Sequence, residues 1–530
     1  MRPNASVCLP LTLQIFCWCA VFSAPLAHAQ ESDITQTPNT INAGIKKTLE
    51  QQIGAGRGDI TTPGSSLYII SRDPFRSIRR GRNLFQRKFT IAQGFGPRTG
   101  DGHGDITGDG SIGAGLVDSC AGCHGRPRGS AGFGGDVFTR PDSRDAPHLF
   151  GLGIIEMLAD EITQDLRQIR DQAIARAQKT QRAVVVPLKS KGISYGKIRV
   201  NPDGSVDPFQ LEGVNEALRV RPFFHQGGTI SIREFVVGAL NAEMGLEAFD
   251  PDLAVASAGG KVVTPSGMVL DGSLDTIESP PASSESEDPD LDGIANEIPV
   301  SLVDHLEFYL LNYFKPGTDR QTKETRKGKS IFDEIQCTNC HIATLVIERD
   351  RRVADVETSY NPQQGIFNDL FAVATPLFQE LPGSGSPSIK KPQEQQFVVN
   401  NLYADFKRHD LGPNFWERSF DGTLTKEFMT EPLWGVGSTA PYGHDGRSIH
   451  LRSVILRHGG EAQEERDRFA RLPDHKQGQV LEFLQSLVLF PPDDTASNLN
   501  PGDPNVPDFP QNGHGNIALP VLFNDSTDLE

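Results

Sequence analysis

The sequence predicts a mainly α fold built from two related modules with loop-rich insertions. Three observations lead there. Apolar residues recur at helical spacing between Gly151 and Gln181 (Ile154, Ile155, Leu158, Ile162, Leu166 and Ile169). The pentapeptide Cys-x-x-Cys-His occurs twice. Each copy is approached by a similar segment, Gly81-Arg-Asn-Leu-Phe85 before the first and Gly328-Lys-Ser-Ile-Phe332 before the second.

The chain has 530 residues, 37% of them hydrophobic. That is ample for a buried core and suggests roughly three domains. The net charge of −17 excludes the basic surface that nucleic-acid binding needs. Residues 1–29 read as a secretory signal peptide. Arg2 precedes an uncharged apolar run from Leu9 to Phe22, and Ala27-His28-Ala29 offers a small-residue cleavage site before Gln30. The run is too short for a membrane span, and no later stretch is long enough. The expected location is therefore the periplasm, without a membrane span. Cys8, Cys17 and Cys19 depart with the signal, leaving Cys120, Cys123, Cys337 and Cys340.

Residues 30–78 form a polar N-terminal extension. The first module occupies 79–321. Its helical segments are Gly151–Gln181, Ser231–Gly245 (closed by Gly245) and a run opening on the capping box Ser301–Asp304 and ending at Phe314. Val262–Pro289 is rich in Ser, Pro, Asp and Glu and reads as loop or linker. The second module occupies 322–490 and closes with a helix over Val480–Leu487. Residues 491–530, rich in Pro, Asn and Asp, form an extended tail.

All four mature cysteines fall in Cys120-Ala-Gly-Cys123-His124 and Cys337-Thr-Asn-Cys340-His341. This is the c-type haem attachment pattern: two thiols add to the vinyl groups of one porphyrin, and the adjacent His ligates the iron. Zinc would require a second ligand pair, which neither motif has. A thioredoxin-like pair leaves the repeated His unexplained. The reading is two covalent haems, ligated by His124 and His341, in two cytochrome c-like domains. Separately, Asp288, Asp290, Asp292 and Glu297 surround a turn glycine, Gly293, and supply oxygen ligands suited to calcium. The alternative there is a solvated acidic linker.

Further stretches make a specific ordered set. They are Arg144–Glu156, Asn241-Ala-Glu-Met-Gly245, His409-Asp-Leu-Gly412, Pro432-Leu-Trp434-Gly, Ala440-Pro-Tyr442-Gly-His444-Asp-Gly446-Arg447 and His458-Gly-Gly-Glu461-Ala462. Together with the two haem motifs, this set resembles the bacterial di-haem cytochrome c peroxidase superfamily, in its di-haem oxidoreductase branch. The resemblance spans roughly Arg79 to Phe490. It implies a periplasmic oxidoreductase that reduces hydrogen peroxide with electrons from a small donor protein of cytochrome c or cupredoxin type.

The same resemblance implies roles for individual residues. In the superfamily the second haem's sixth ligand, usually Met, follows a Pro-Tyr-x-His segment by fourteen residues. Here that position is His458, so ligation by His341 and His458 is implied, with a lowered potential. A surface His at a helix end is the alternative. Glu243, followed by Met244, matches the acid–base glutamate over the first haem; the alternative is a solvent-facing carboxylate. The superfamily's bridging Trp is replaced within Phe223-Phe224-His225-Gln226-Gly227. That substitution leaves His225 or His148 as a candidate sixth ligand of the first haem; the alternative for each is a hydrogen-bonded structural His. His409, His444 and Arg447 are implied to hold haem propionates or neighbouring loops, and Trp434 to pack on the second haem. Two alternatives stay open: an oxygenase or substrate-oxidising relative, and a non-enzymatic electron-transfer cytochrome.

Overall fold

The computed structural model describes residues 53–86, 89, 120, 124, 144–289, 293–313, 317–318, 321–360, 370–381, 383, 389–418 and 422–488. Cys123, Asp290, Asp292, the signal segment and the tail lie outside them.

The helices are α1 (Ser66–Arg72), α2 (Pro74–Gln86), α3 (Leu152–Thr180), α4 (Ile232–Ala242), α5 (Pro251–Ser257), α6 (Val300–Asn312), α7 (Lys323–Glu334), α8 (Leu451–Arg457), α9 (Gln463–Arg471) and α10 (Asp474–Gln485). Helix α3 buries Ile154, Leu158, Ile162 and Leu166 along one stripe, as the periodicity requires. Thr322 caps α7 by accepting the Thr325 amide on its hydroxyl. The capping box at Ser301 does not form. Pro299 precedes α6, and Ser301 and Asp304 are buried within it, where Asp304 meets Arg233 at 3.0 Å. Helix α4 ends before Gly245, with Glu243 as its C-cap residue.

Two helix crossings repeat the same geometry. Helix α2 packs on α6 and α7 packs on α10. A Cβ at Gly81 would fall 2.1 Å from the His305 carbonyl oxygen, and one at Gly328 would fall 1.9 Å from that of Gln479. Only glycine allows backbones this close. Four residues on, Phe85 meets Tyr309 at 5.8 Å and Phe332 meets Phe483 at 5.5 Å between ring centroids. A second pair of glycines behaves alike: a Cβ at Gly153 would strike the Leu311 carbonyl and one at Gly437 that of Gln485. The chain therefore contains one structural unit twice.

A mainly α fold is nevertheless not what the chain adopts. The described residues are 38% helical and 18% strand, in several small antiparallel sheets. The largest is the three-stranded meander β1 (Val184–Ser190), β2 (Ile193–Val200) and β3 (Val206–Leu211). It buries Leu188, Ile193, Tyr195, Ile198 and Val200 against α3 and turns Val185, Lys189, Lys197 and Arg199 outward. That two-residue alternation marks a half-buried sheet, and a reading tuned to the helical period passes over it. The expected linker over Val262–Pro289 contains the hairpin β4 (Lys261–Val263) with β5 (Val269–Asp271). The short β6 (Gly317–Thr318) precedes the second haem motif; between that motif and α8 the described strands, β7 to β16, form two-stranded antiparallel pairs. Among these, β7 (Thr344–Ile347) pairs with β12 (Phe397–Asn400), and β13 (Arg408–Asp410) with β16 (Glu427–Met429).

The two halves share cores. Val353, Ala354 and Val356, beyond the second motif, pack with Ile53, Ile78, Leu84 and Leu306 of the first unit. Leu345, Ile347 and Trp434 join the core of α3 and the meander.

Candidate haem sites

Residues Cys337–Asn339 form one 3₁₀ turn, entered through Gln336 at φ 70°. The His341 amide closes it on the Cys337 carbonyl at 3.0 Å. This turn brings Cys337, Cys340 and His341 to the wall of a cavity of about 280 Å³, which His458 also lines. Phe332, Leu433, Val436, Leu451, Ile455 and Leu484 supply much of its apolar surface. Burial pushes the Cys337 thiol up to about 12, with Glu465 adding to the effect. It is a protonated thiol, not the low-pKa thiolate of a redox pair.

The candidate axial ligands share one arrangement. His341 places Nδ1 2.9 Å from the Tyr403 carbonyl, His458 places it 2.7 Å from that of Val454, and His124 places it 2.6 Å from that of Pro147. A carbonyl only accepts, so each Nδ1 carries the hydrogen and each Nε2 keeps its lone pair. Burial holds His124 and His458 down near 4 and lowers His341 as well, so all three rings are neutral at pH 7. A neutral imidazole, oriented through Nδ1–H and bare at Nε2, is the form that ligates a metal. The donor set and the apolar cavity between His341 and His458 fit a haem.

In the first unit, Cys120 packs against the core and His124 meets Phe235 of α4 at 6.2 Å. Glu243, half-buried, caps the far end of that helix. At the calcium candidate, Asp288 accepts the Gly293 amide at 2.8 Å. Glu297 is turned inward and accepts the Glu247 amide at 3.0 Å.

The remaining histidines divide by their partners. His225 has both nitrogens engaged, with Glu431 at 2.6 Å and the Asp145 carbonyl at 2.9 Å, and neither is open to an iron. His148 donates from Nε2 to the Trp434 carbonyl at 3.2 Å; its buried Nδ1 has no partner, and the ring lines the same cavity as His341 and His458. His409 is held between Asp405 at 2.9 Å and Glu461 at 2.8 Å. Burial opposes its charge, but hydrogen bonds to Asp405, Cys340 and Glu461 prevail and push the imidazolium up to about 12. His444 stacks on Phe428 at 3.8 Å; burial, then the charge of His225, lowers it to about 3. Arg447 is exposed beside Asp445 and does not line the cavity. Trp434 does not line it either: its ring lies over Gly151, where a Cβ would come within 2.7 Å, while Leu433 and Val436 take the cavity wall. The carbonyls of Pro147, Tyr403 and Val454 escaped sequence reasoning because a backbone oxygen carries no side-chain signal.

Fold and site together present two candidate haem sites, one in each unit. Residues 344–487 match the family model described as "Di-haem oxidoreductase, putative peroxidase". No curated protein matches the chain. Among solved structures, the chain is similar to Kuenenia stuttgartiensis hydrazine synthase pressurised with 20 bar xenon, at 16% identity over 37% of this chain and 58% of that one, with a TM-score of 0.22. It is also similar to a MauG-like protein associated with microbial copper homeostasis, at 10% identity over 63% of this chain and 88% of that one, with a TM-score of 0.21. The chain thus spans little more than half of the hydrazine synthase chain. Among the described residues, no helix is long and apolar enough to cross a membrane.

Proposed function

We propose that the chain is an exported periplasmic di-haem c oxidoreductase that reduces hydrogen peroxide with electrons from a small redox protein. The observation that carries this reading is the matched set of neutral histidines, His124, His341 and His458, each with Nδ1–H fixed to a backbone carbonyl. Cys120 and Cys123 would hold the first haem and Cys337 and Cys340 the second. The haems would supply one-electron redox chemistry at iron. His341 and His458 would ligate the second haem, which would suit it to receiving electrons, and the first site is where peroxide would react.

There Glu243 would move a proton from the near oxygen of peroxide to the departing one as the O–O bond breaks, so that water leaves rather than hydroxide, the two electrons coming through the haems from the donor protein. Glu243→Gln keeps the shape and removes the base. Peroxide turnover should fall by about 10²–10⁴ while the second haem's spectrum stays intact. Turnover at the wild-type rate, in both the oxidised and half-reduced protein, would leave Glu243 a surface carboxylate. Calcium at Asp288, Asp290, Asp292 and Glu297 would brace the loop before α6. Calorimetric titration of chelated protein should show a site that Asp290→Ala abolishes.

A further inference from the structure

Two short loops hold the candidate ligands of the second haem. On one, the Tyr403 carbonyl accepts Nδ1–H of His341. On the other, His458 follows the end of α8 and leads through Gly459 and Gly460 to Glu461. His409, on β13 between them, reaches both. Its Nε2 meets Oδ2 of Asp405 at 2.9 Å, two residues from Tyr403, and its Nδ1 meets Oε2 of Glu461 at 2.8 Å, three residues from His458.

The surroundings reinforce this link. The other oxygen of Glu461 accepts the Asp410 amide at 3.1 Å, and the Gly459 amide bonds the Leu411 carbonyl at 3.0 Å. A Cβ at Gly460 would lie 2.1 Å from the Asp410 carbonyl oxygen, so the two strands of chain touch backbone to backbone. Asp405 is 1% exposed and its own carbonyl accepts the Tyr195 hydroxyl at 2.9 Å, which anchors that loop to the meander. Sγ of Cys340 lies within 4.8 Å of the nearest ligating atoms of Asp405 and His409, so the link runs directly behind the haem attachment turn. Carboxylates only accept, so His409 donates from both nitrogens and carries a positive charge between two negative ones.

We propose that His409 is a positioning residue: by bonding Asp405 and Glu461 at once, it ties the loop that orients His341 to the loop that presents His458 and so fixes the two imidazoles across one haem. The inference rests on His458 being the second axial ligand. Its function is geometric, since both of its nitrogens are taken by carboxylates. Loss of an outer partner of this kind costs a metal site about 10–100-fold.

The test uses the intact di-haem protein with cyanide as probe. The measured quantity is the rate at which cyanide replaces the His458 imidazole, followed by loss of the bis-imidazole low-spin signal in electron paramagnetic resonance. His409→Leu and Glu461→Ala should each raise that rate by about 10–100-fold, and amides of residues 459–462 should exchange hydrogen faster, while the first haem's signal is unchanged. The Glu461 side chain is 56% exposed, so its removal does not threaten the core, and that variant decides alone if His409→Leu fails to fold. A wild-type bis-imidazole signal with unchanged cyanide rates in the folded variants overturns the clamp and spares the ligation. Absence of that signal in the wild type overturns both.

Discussion

The tautomer of each candidate ligand follows from one fact, the acceptor-only nature of a carbonyl oxygen. His458 is oriented by Val454, four residues earlier on its own helix, so its presentation depends on α8 ending where it does. His458→Ala should therefore convert one low-spin ferric signal to high-spin in electron paramagnetic resonance; an unchanged signal would place the ligand elsewhere. A second consequence is pH dependence. His148 and His444 are held near 4 and 3 by burial, against an ordinary value near 6.5. The unfolded chain binds their protons below about 6.5 and the folded chain does not. The stability they confer is thus present above that pH and lost as it falls toward 4. Asp145, raised to about 7 by burial, has the opposite sign: its folded form keeps a proton that the unfolded form releases. Asp145 therefore offsets part of what these two histidines lose on acidification. His444→Phe preserves the stack on Phe428 and removes one proton site. It should flatten the dependence of unfolding free energy between pH 6.5 and 4 by about 1.4 kcal/mol per pH unit. Denaturant titrations at several pH values measure this; an unaltered slope would mean that the folded chain takes up the His444 proton as readily as the unfolded one.

At the scale of the elements, the glycine of each Gly-x-x-x-Phe segment decides how closely two helices approach. Gly328→Ala places a methyl group 1.9 Å from the Gln479 carbonyl oxygen, which cannot withdraw without unwinding α10. The expected cost is about 1–3 kcal/mol or more, seen as a lower denaturation midpoint. Loosening of the second haem pocket should accompany it, because Phe332 lines the cavity. A midpoint equal to wild type would mean that the crossing is not tight. The glycine–phenylalanine echo was legible in sequence because close packing leaves few residue choices. Helix α3 was legible for a similar reason: one stripe of it meets one core. The meander was harder. Its strands alternate, yet Pro187 and Gly196 interrupt the pattern, and Gly196 at φ 81° lies beside a shift in register. The capping box at Ser301 misled because a buried ion pair with Arg233 claims Asp304, an interaction 71 residues distant that no local pattern encodes.

For the whole molecule, the question is how one haem site communicates with the other. The segment Arg144–His148 offers a structural answer, since neighbouring residues in it engage different parts of the fold. Arg144 binds Glu417 through two bonds of 2.9 and 2.6 Å. The Asp145 amide bonds the His444 carbonyl at 2.7 Å, and its carbonyl accepts Nε2–H of His225. The Pro147 carbonyl orients His124 of the first site, while Pro147 and His148 also line the cavity of the second site. One strap therefore touches both sites, and a change in the second half should be felt at His124. Glu417→Ala tests this. The side chain of Glu417 is 3% exposed, and losing it frees Arg144 from a charge-assisted pair typically worth about 1.5–3 kcal/mol. With Arg144 released, the strap that carries the Pro147 carbonyl loses one of its three anchors and the Nδ1–H bond of His124 lengthens. The iron–histidine stretch of the first haem should then shift to lower frequency in resonance Raman spectra, while His341, held by Tyr403, keeps its own. A shift confined to the second haem, or none at either, would show that the strap joins the halves without setting the ligand geometry of the first.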